Sequence, residues 1–211
     1  MLTLAEELFL LALDDAEGWI TAPAQSILRY GLAAALLADL ALRGKVVVED
    51  QRVQLVDVAP IGDELLDWAL QRLSAAGKPL KVKHWINALG FRKLPRQIAQ
   101  QLVAGGVLQE VERGYAWVIP YAEYPQSTAP AKYWIKLDLR SAVLTTVKTT
   151  PHGIVLLSLV RSCRLLGLIF TKDERRTASR RVRELVLHEG FGDAVVQTLR
   201  DIEAATVAKT V

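Results

Sequence analysis

The apolar run Gly153–Phe170, GIVLLSLVRSCRLLGLIF, constrains the fold more than any other segment of the chain. A run of this kind is first considered as a membrane-spanning helix, which needs about 20 apolar residues. Arg161 and Arg164 stand near its middle, and an arginine at the bilayer centre costs about 2.5 to 3.5 kcal/mol on the insertion scale. We therefore predict a buried helix of a soluble protein, and we expect any membrane contact to be peripheral.

The composition indicates a globular chain in which any anion binding must be local. Its 211 residues are 51% hydrophobic, which suffices for a substantial core. We predict that residues 1–211 form a single domain. Lys and Arg total 26 and Asp and Glu total 23, and the net charge of +3 is too small for extensive coating of nucleic acid. Cys163 is the only cysteine in the sequence, which excludes an intrachain disulfide and favours a reducing, cytoplasmic location.

The start of the chain predicts a folded helix rather than a secretory signal. The segment MLTLAEELFLLALDDAEG has no basic region before its apolar residues, and it carries acidic side chains within them. Thr3 and Glu6 have the spacing of a capping box, and leucines recur at helical spacing behind them. The first helix is therefore expected over Thr3–Leu13.

The remaining patterns predict a mainly α fold, a single compact helical domain with two small β-hairpins. A long helix after Pro23 that ends at Gly44 is expected to be the axis of the core. The segment YWIKLDL fits a helix around Ile135–Val147 but also alternates as a strand does. The other predicted helices are Asp63–Gly77, Val82–Leu89, Pro95–Ala104, Gly153–Phe170, one that begins at Thr171 and Glu174, and Gly192–Ala205, and the hairpins are Val46–Val56 and Val107–Ile119, the second turning at Gly114.

The sequence offers no pattern typical of an enzyme. His84, His152 and His188 are far apart and lack the spacing of metal ligands. No nucleophile elbow, zinc-protease motif or Walker phosphate loop is present. Asp14 and Asp15 are more typical of solvated or capping carboxylates at a helix end than of an acid/base pair. We predict a protein that is not an enzyme, with no metal site and no cofactor.

A cluster of cations at a predicted helix start is the strongest functional signal. Arg92, Lys93 and Arg96 surround Pro95, a residue suited to the first turn of a helix. The amino end of a helix already carries positive partial charge, so cations there repel it and one another unless an anion is bound. The pattern predicts a pocket for a phosphate or sulfate group, although solvated surface cations would also fit it.

Two other functions are compatible with the sequence. A helix, a turn, a helix and a hairpin also form a winged-helix DNA reader, with the glutamines of Pro95–Ala104 facing base edges. Glu110 and Glu112 in the wing would then face DNA phosphates, which argues against nucleic acid as the partner. An adaptor that binds only other proteins is the second alternative.

The most basic run, RRTASRRVRELV, predicts a helix with Arg176, Arg180 and Arg183 on its outer side. Nearby carboxylates three or four residues away would offset these charges, which is typical of a solvated face. The run would also suit a second contact surface for an anionic membrane or a partner protein.

Several stretches, in order and at compatible spacing, resemble the Golgi phosphoprotein 3 family over nearly the whole chain. They are LTLAEELFLLALDD, GLAAALLADLALRGK, PIGDELLDWAL, LVAGGVL followed by a hairpin, and ASRRVRELV. The resemblance implies a mostly helical peripheral membrane protein that is not an enzyme. It also implies recognition of phosphatidylinositol 4-phosphate and adaptor binding to the cytosolic tails of membrane proteins.

The resemblance also implies where the lipid headgroup would bind. The family's eukaryotic members use two basic residues just before the helix that corresponds to Pro95–Ala104. Arg92 matches the first of these positions and Pro95 falls on the second, where Lys93 and Arg96 stand on either side as substitutes. The expected ligand is therefore a phosphorylated or otherwise anionic lipid headgroup at a membrane surface.

The family's pocket also includes a tryptophan and an arginine near the second helix. The arginine position falls on Ala33, and Arg29, one turn earlier, is the candidate substitute. Trp19 precedes that helix and lies several residues before the family's tryptophan position. In the family the second hairpin contributes to membrane contact or to self-association as a homo-oligomer, and here it carries Tyr115 and Trp117.

Overall fold

The computed structural model describes residues 1–15, 18–109, 111–112, 122–123, 129–145 and 148–188. Within these residues the protein is mainly helical, as the sequence predicts. None of the helices described here combines the length and the apolar composition that a membrane span requires. The predicted last helix, Gly192–Ala205, lies outside the described residues.

The helices and strands are numbered in chain order. The helices are α1 (Leu4–Ala12), α2 (Ala22–Gln25), α3 (Leu28–Leu42), α4 (Glu64–Ala75), α5 (Val82–Leu89), α6 (Leu94–Ala104), α7 (Ala129–Leu144), α8 (Pro151–Ser162), α9 (Leu166–Ile169) and α10 (Glu174–His188). The strands are β1 (Val46–Glu49), β2 (Arg52–Leu55), β3 (Leu80–Lys81), β4 (Val111–Glu112) and β5 (Ala122–Glu123).

The predicted axis of the core is α3. All of its residues except Arg29, Tyr30 and Leu42 are buried, and it packs against α1, α4, α5, α6 and α8. Its run of alanines and leucines gives apolar surface all round, which is typical of a helix enclosed by other helices. The short α2 was expected to be part of the same helix as α3. It forms a separate turn, because the helix is interrupted at Ser26 and Ile27.

Two predicted helix starts are confirmed by their caps. The Thr3 side chain accepts the Glu6 N–H at 3.2 Å, and the Glu6 carboxylate accepts the Thr3 N–H at 2.8 Å, which completes the capping box of α1. At α4, the Asp63 carboxylate accepts the N–H groups of Leu65 and Leu66. Each cap satisfies backbone donors that the first turn leaves without a partner.

The first predicted hairpin is confirmed, and a third strand joins it. β1 and β2 pair antiparallel through the connection at Asp50 and Gln51, whose φ values of 48° and 58° suit a tight two-residue hairpin turn. β3 adds to the other side of β2. The sequence did not predict β3, because two residues are too few to show an alternating pattern.

The second hairpin differs from its predicted bounds. β4 and β5 pair antiparallel, with Val111 opposite Glu123 and Glu112 opposite Ala122. The second paired segment therefore lies beyond Ile119, where the predicted hairpin Val107–Ile119 would have ended. The aromatic and β-branched residues before position 119 gave the stronger strand pattern in the sequence.

The long apolar run forms two helices instead of one. α8 and α9 are separated by a turn in which Arg164 adopts a φ of 60°. The Arg164 N–H donates to the Arg161 carbonyl at 3.0 Å, and the Leu165 N–H donates to the Val160 carbonyl at 2.9 Å. These two bonds form a Schellman motif, which ends a helix. The ambiguous segment YWIKLDL lies within α7 and is helical.

The last described helix has the two faces that the sequence predicts. Ala178 and Val182 of α10 are fully buried, whereas Arg176, Arg180 and Arg183 are exposed. Glu174 begins this helix, and its carboxylate accepts the Thr171 N–H and two bonds from Arg140 of α7. These bonds join the amino end of α10 to α7.

Candidate functional site

The predicted cation cluster lies in the turn between α5 and α6, residues 90–93, which we call the α5–α6 turn. A Cβ at Gly90 would stand 2.6 Å from the Ile86 carbonyl oxygen, 3.2 Å from the Arg29 carbonyl oxygen and 3.1 Å from the Tyr30 ring. Only glycine allows the backbone to approach both helices so closely. The turn is therefore held against the first turn of α3.

The three cations at this turn are exposed. Arg92 and Lys93 belong to the turn itself, and Arg96 belongs to the first turn of α6. Within the described part of the chain, none of the three makes a side-chain hydrogen bond or lies within ion-pair distance of a carboxylate. By contrast, Lys45 pairs with Asp57, and other cations are paired in the same way. The three charges at the α5–α6 turn are left to solvent or to an anion.

The start of α6 has no side-chain cap, because its N-cap residue is Lys93. Few of the backbone N–H groups in the first turn of α6 are free to bind an anion. The Leu94 N–H donates to the Phe91 carbonyl at 3.1 Å, Pro95 has no N–H, and the Gln97 N–H donates to the Lys93 carbonyl. In the described residues, this leaves the Arg96 N–H as the donor of the first turn without a partner. An anion here would depend mainly on side chains.

Arg29 stands next to the α5–α6 turn, and Ala33 does not reach the surface. The Arg29 guanidinium lies 4.5 Å from the centroid of the Tyr30 ring and donates to the Tyr30 hydroxyl at 2.5 Å. Ala33 is fully buried in α3, so this position cannot contact a ligand at the surface. Sequence reasoning missed Tyr30, for which the available signal was an aromatic residue directly after a candidate arginine.

Trp19 is placed in the loop between α1 and α2. Its carbonyl oxygen accepts the Asp14 N–H at 2.7 Å, and its side chain is 39% exposed. This bond joins the Trp19 backbone to Asp14 within the same loop. The remaining candidates, Tyr115 and Trp117, lie outside the described residues.

Comparison with known proteins decides the family. The model of a family described as Golgi phosphoprotein 3 (GPP34) matches residues 4–205 of this chain. The chain belongs to the Golgi phosphoprotein 3 family. The resemblance found in the sequence is thereby confirmed over nearly the full length.

One relative of this Golgi phosphoprotein 3 family chain is the vacuolar protein sorting-associated protein 74 of Eremothecium gossypii. The two are 29% identical over an alignment of length 167, and the alignment covers 68% of this chain and 49% of that protein. The chain therefore spans about half the length of the curated relative that it matches.

The titratable groups that sequence analysis considered are dispersed in this family member. Within the described residues, no three or more His, Cys, Asp or Glu side chains are grouped to hold a metal ion. His84 contacts the Trp85 ring, and His152 pairs with Glu7. Cys163 is fully buried, and burial raises the pKa of its thiol to about 12, so it is not a reactive thiolate.

Proposed function

We propose that this protein is a peripheral membrane protein whose α5–α6 turn binds a phosphorylated or otherwise anionic lipid headgroup. Arg92, Lys93 and Arg96 are the main ligands in this proposal, and Arg29 and Trp19 contribute less. The observation that carries it is the cluster of three exposed cations, without carboxylate partners in the described residues, at a helix start with no side-chain cap. A phosphate group there would interact favourably with both the side chains and the helix end.

Three further points support the proposal. The resemblance to the family's eukaryotic members implies a phosphatidylinositol 4-phosphate pocket at the same turn. The backbone of Arg29 packs against Gly90 of the α5–α6 turn, and its side chain is the candidate fourth cation. The name of the relative associates that protein with vacuolar protein sorting. A cytoplasmic location and an adaptor role toward the cytosolic tails of membrane proteins belong to the same proposal.

The proposal is tested by flotation of the protein with vesicles that contain phosphatidylinositol 4-phosphate. Changing Arg92, Lys93 and Arg96 together to alanine should lower the partition coefficient roughly 100-fold, since each cation near an anionic surface contributes about 1 kcal/mol. A matched control changes Arg176, Arg180 and Arg183 of α10 to alanine, which removes the same charge from another exposed surface. The control should retain vesicle binding.

Two results would contradict this assignment. If the first triple variant floats with the vesicles as the wild type does, the α5–α6 turn is not the headgroup site. If both triple variants lose the same affinity, the attraction depends on total charge or also on the basic face of α10, and the α5–α6 turn is not a distinct headgroup site. Binding to duplex DNA with a sequence preference would favour the winged-helix alternative.

A further inference from the structure

A pocket separate from the α5–α6 turn lies between α1, α7 and the amino end of α8, and we call it the α7–α8 pocket. Its volume is about 310 Å³. Its apolar wall is formed by Ile135, Leu139, Ala142 and Leu156. These side chains come from facing sides of α7 and α8, so the pocket penetrates between the two helices. A wall of this kind suits an apolar group of a ligand.

One side of the pocket is formed by a pair of hydrogen-bonded ionisable groups. His152 Nε2 lies 2.5 Å from a carboxylate oxygen of Glu7, and both side chains are largely buried. This hydrogen bond raises the pKa of His152, which favours the imidazolium paired with the carboxylate. Because each group neutralises the other, the pair adds hydrogen-bonding surface to the pocket without a net charge.

The opposite end of the pocket is built by the residues that begin α8. The Thr150 side chain caps α8 by accepting the Gly153 N–H at 3.1 Å. The Thr149 hydroxyl oxygen is buried, and within the described residues it has no hydrogen-bond partner. A Cβ at Gly153 would lie 3.0 Å from Thr149 Cγ2, so glycine keeps this end open. A buried hydroxyl without a partner is destabilising, and a ligand oxygen would satisfy it.

The charges at the mouth of the pocket differ between its two helices. Lys148, before α8, is exposed and within the described residues has no carboxylate in ion-pair distance. It lies at the same end as the amino terminus of α8, which carries positive partial charge. Asp138 of α7 lines the pocket as well and is exposed. The α8 end therefore attracts a negative group, and Asp138 opposes it.

We propose that the α7–α8 pocket binds a small amphiphilic carboxylate, with its apolar chain between α7 and α8 and its carboxylate at Lys148 and the Thr149 hydroxyl. A single negative charge matches the single unpaired lysine, and the Thr149 hydroxyl donates to the same carboxylate. A cationic head would face both Lys148 and the helix end, which makes an amine the weaker ligand. This site goes beyond the proposed headgroup function and shares no residue with it.

The first test measures binding of octanoate by calorimetry, below the concentration at which octanoate forms micelles. Octanol and octylamine serve as ligands with the same chain and a different head, and both should bind more weakly than octanoate. Ser141→Phe places a ring in the pocket and should abolish binding. Leu137→Phe, one turn earlier on the same helix and outside the pocket, should retain it. Thermal unfolding of both variants verifies that they are folded.

Charge variants at the mouth test the head group without disturbing the apolar wall. Lys148→Gln should weaken octanoate binding about two- to fivefold, and Asp138→Asn should strengthen it by a similar factor, as expected for exposed charges. The triple alanine variant at Arg92, Lys93 and Arg96 should bind octanoate as the wild type does. The headgroup proposal and the octanoate proposal can therefore fail independently of each other.

Several outcomes would overturn the inference. If octylamine binds as tightly as octanoate, the carboxylates of the pocket influence the head-group preference more than Lys148 does. Equal affinities for Ser141→Phe and Leu137→Phe, with both variants folded, would place the chain elsewhere. Tighter octanoate binding by Lys148→Gln together with weaker binding by Asp138→Asn, the reverse of the expected effects, would remove Lys148 from the site. Undetectable octanoate binding to the wild type would exclude this ligand class.

Discussion

At the scale of single residues, Asp39 joins the central helix to the start of α1. The Asp39 carboxylate is almost completely buried, and it accepts the Leu4 N–H at 2.7 Å. Burial raises its pKa to about 6, while the bond from Leu4 and the charges of Arg43 and His152 act in the opposite direction, and Glu7 adds to the increase. The ionised carboxylate therefore lowers the stability of the folded state.

The raised pKa of Asp39 predicts that stability falls as the pH rises. The folded protein holds the Asp39 proton more tightly than the unfolded chain does. The stability that this proton contributes is therefore fully present below pH 3.8 and is lost as the pH rises through about 6. Between pH 4.5 and pH 7.5 this group should lower the free energy of unfolding by about 2 kcal/mol. Asp39→Asn keeps an acceptor for Leu4 and should remove this dependence.

The measurement is denaturant unfolding of the wild type and Asp39→Asn at both pH values. The groups that surround Asp39, which are Glu7, Arg43 and His152, titrate in both proteins, so their effects largely cancel in the comparison. A stability difference between the two proteins that is the same at both pH values would contradict the prediction.

At the scale of elements, two helix ends use the same hydrogen bonds with different residues. After α3, Gly44 has a φ of 69°, and Lys45 N–H donates to the Leu40 carbonyl. After α8, Arg164 takes the corresponding left-handed position with a φ of 60°. Gly44 predicts the end of α3 from the sequence, because glycine is common after a helix. Arg164 gives no such prediction for the end of α8. This is why the interruption of Gly153–Phe170 was missed.

The left-handed backbone at Arg164 predicts a difference between two substitutions there. Arg164→Gly and Arg164→Ala both remove the side chain and its interactions, but only glycine adopts positive φ without a steric cost. Arg164→Gly should therefore be more stable than Arg164→Ala by about 1 kcal/mol. Thermal or denaturant unfolding would measure the difference. Alanine equal to or better than glycine would mean that the position is not held in the left-handed region.

A second feature at this scale is the close packing of α3 against the end of α8. A Cβ at Gly31 would lie 2.3 Å from the Cys163 sulfur and 3.3 Å from a methyl carbon of Leu8. Cys163 is fully buried, so its sulfur lies within the core. The absence of a side chain at Gly31 sets the distance between the two helices.

Gly31→Ala tests this contact because helix propensity and packing predict opposite signs. Propensity alone would make alanine more stable by about 1 kcal/mol, whereas overpacking of a core costs about 1 to 3 kcal/mol. We expect a net loss of stability, and a smaller loss in a Cys163→Ala background, where the sulfur is absent. A double-mutant cycle from denaturant unfolding measures the coupling. Additive effects of the two changes would contradict direct contact.

At the scale of the whole molecule, the distribution of charge matters more than its total. The chain carries only +3, yet exposed cations are concentrated at the α5–α6 turn and on the outer face of α10. Removal of three cations from either place gives the same net charge of zero. The vesicle experiment therefore compares two molecules that differ in where their charge lies, and a site-specific result cannot arise from net charge alone.

The sequence by itself determined most of the helices, the first hairpin and the main candidate residues. Caps at Thr3 and Asp63, the stop at Gly44 and the apolar periodicity of α3 and α10 act over three or four residues, so they can be read without the fold. The cluster Arg92, Lys93 and Arg96 was found for the same reason, because its members are neighbours in the chain. The helical class follows from these local signals, whereas the family follows from the resemblance of longer sequence stretches and from the family match over residues 4–205.

Tertiary structure alone decided which distant residues meet. The addition of β3 to β2, the contact of Gly90 with Arg29 and the pairing of Glu7 with His152 join residues that are far apart in the sequence. Such contacts depend on how helices pack, and local propensity and periodicity carry no information on that packing. The α7–α8 pocket is formed by three separate helices, and for this reason it could not be predicted from the sequence.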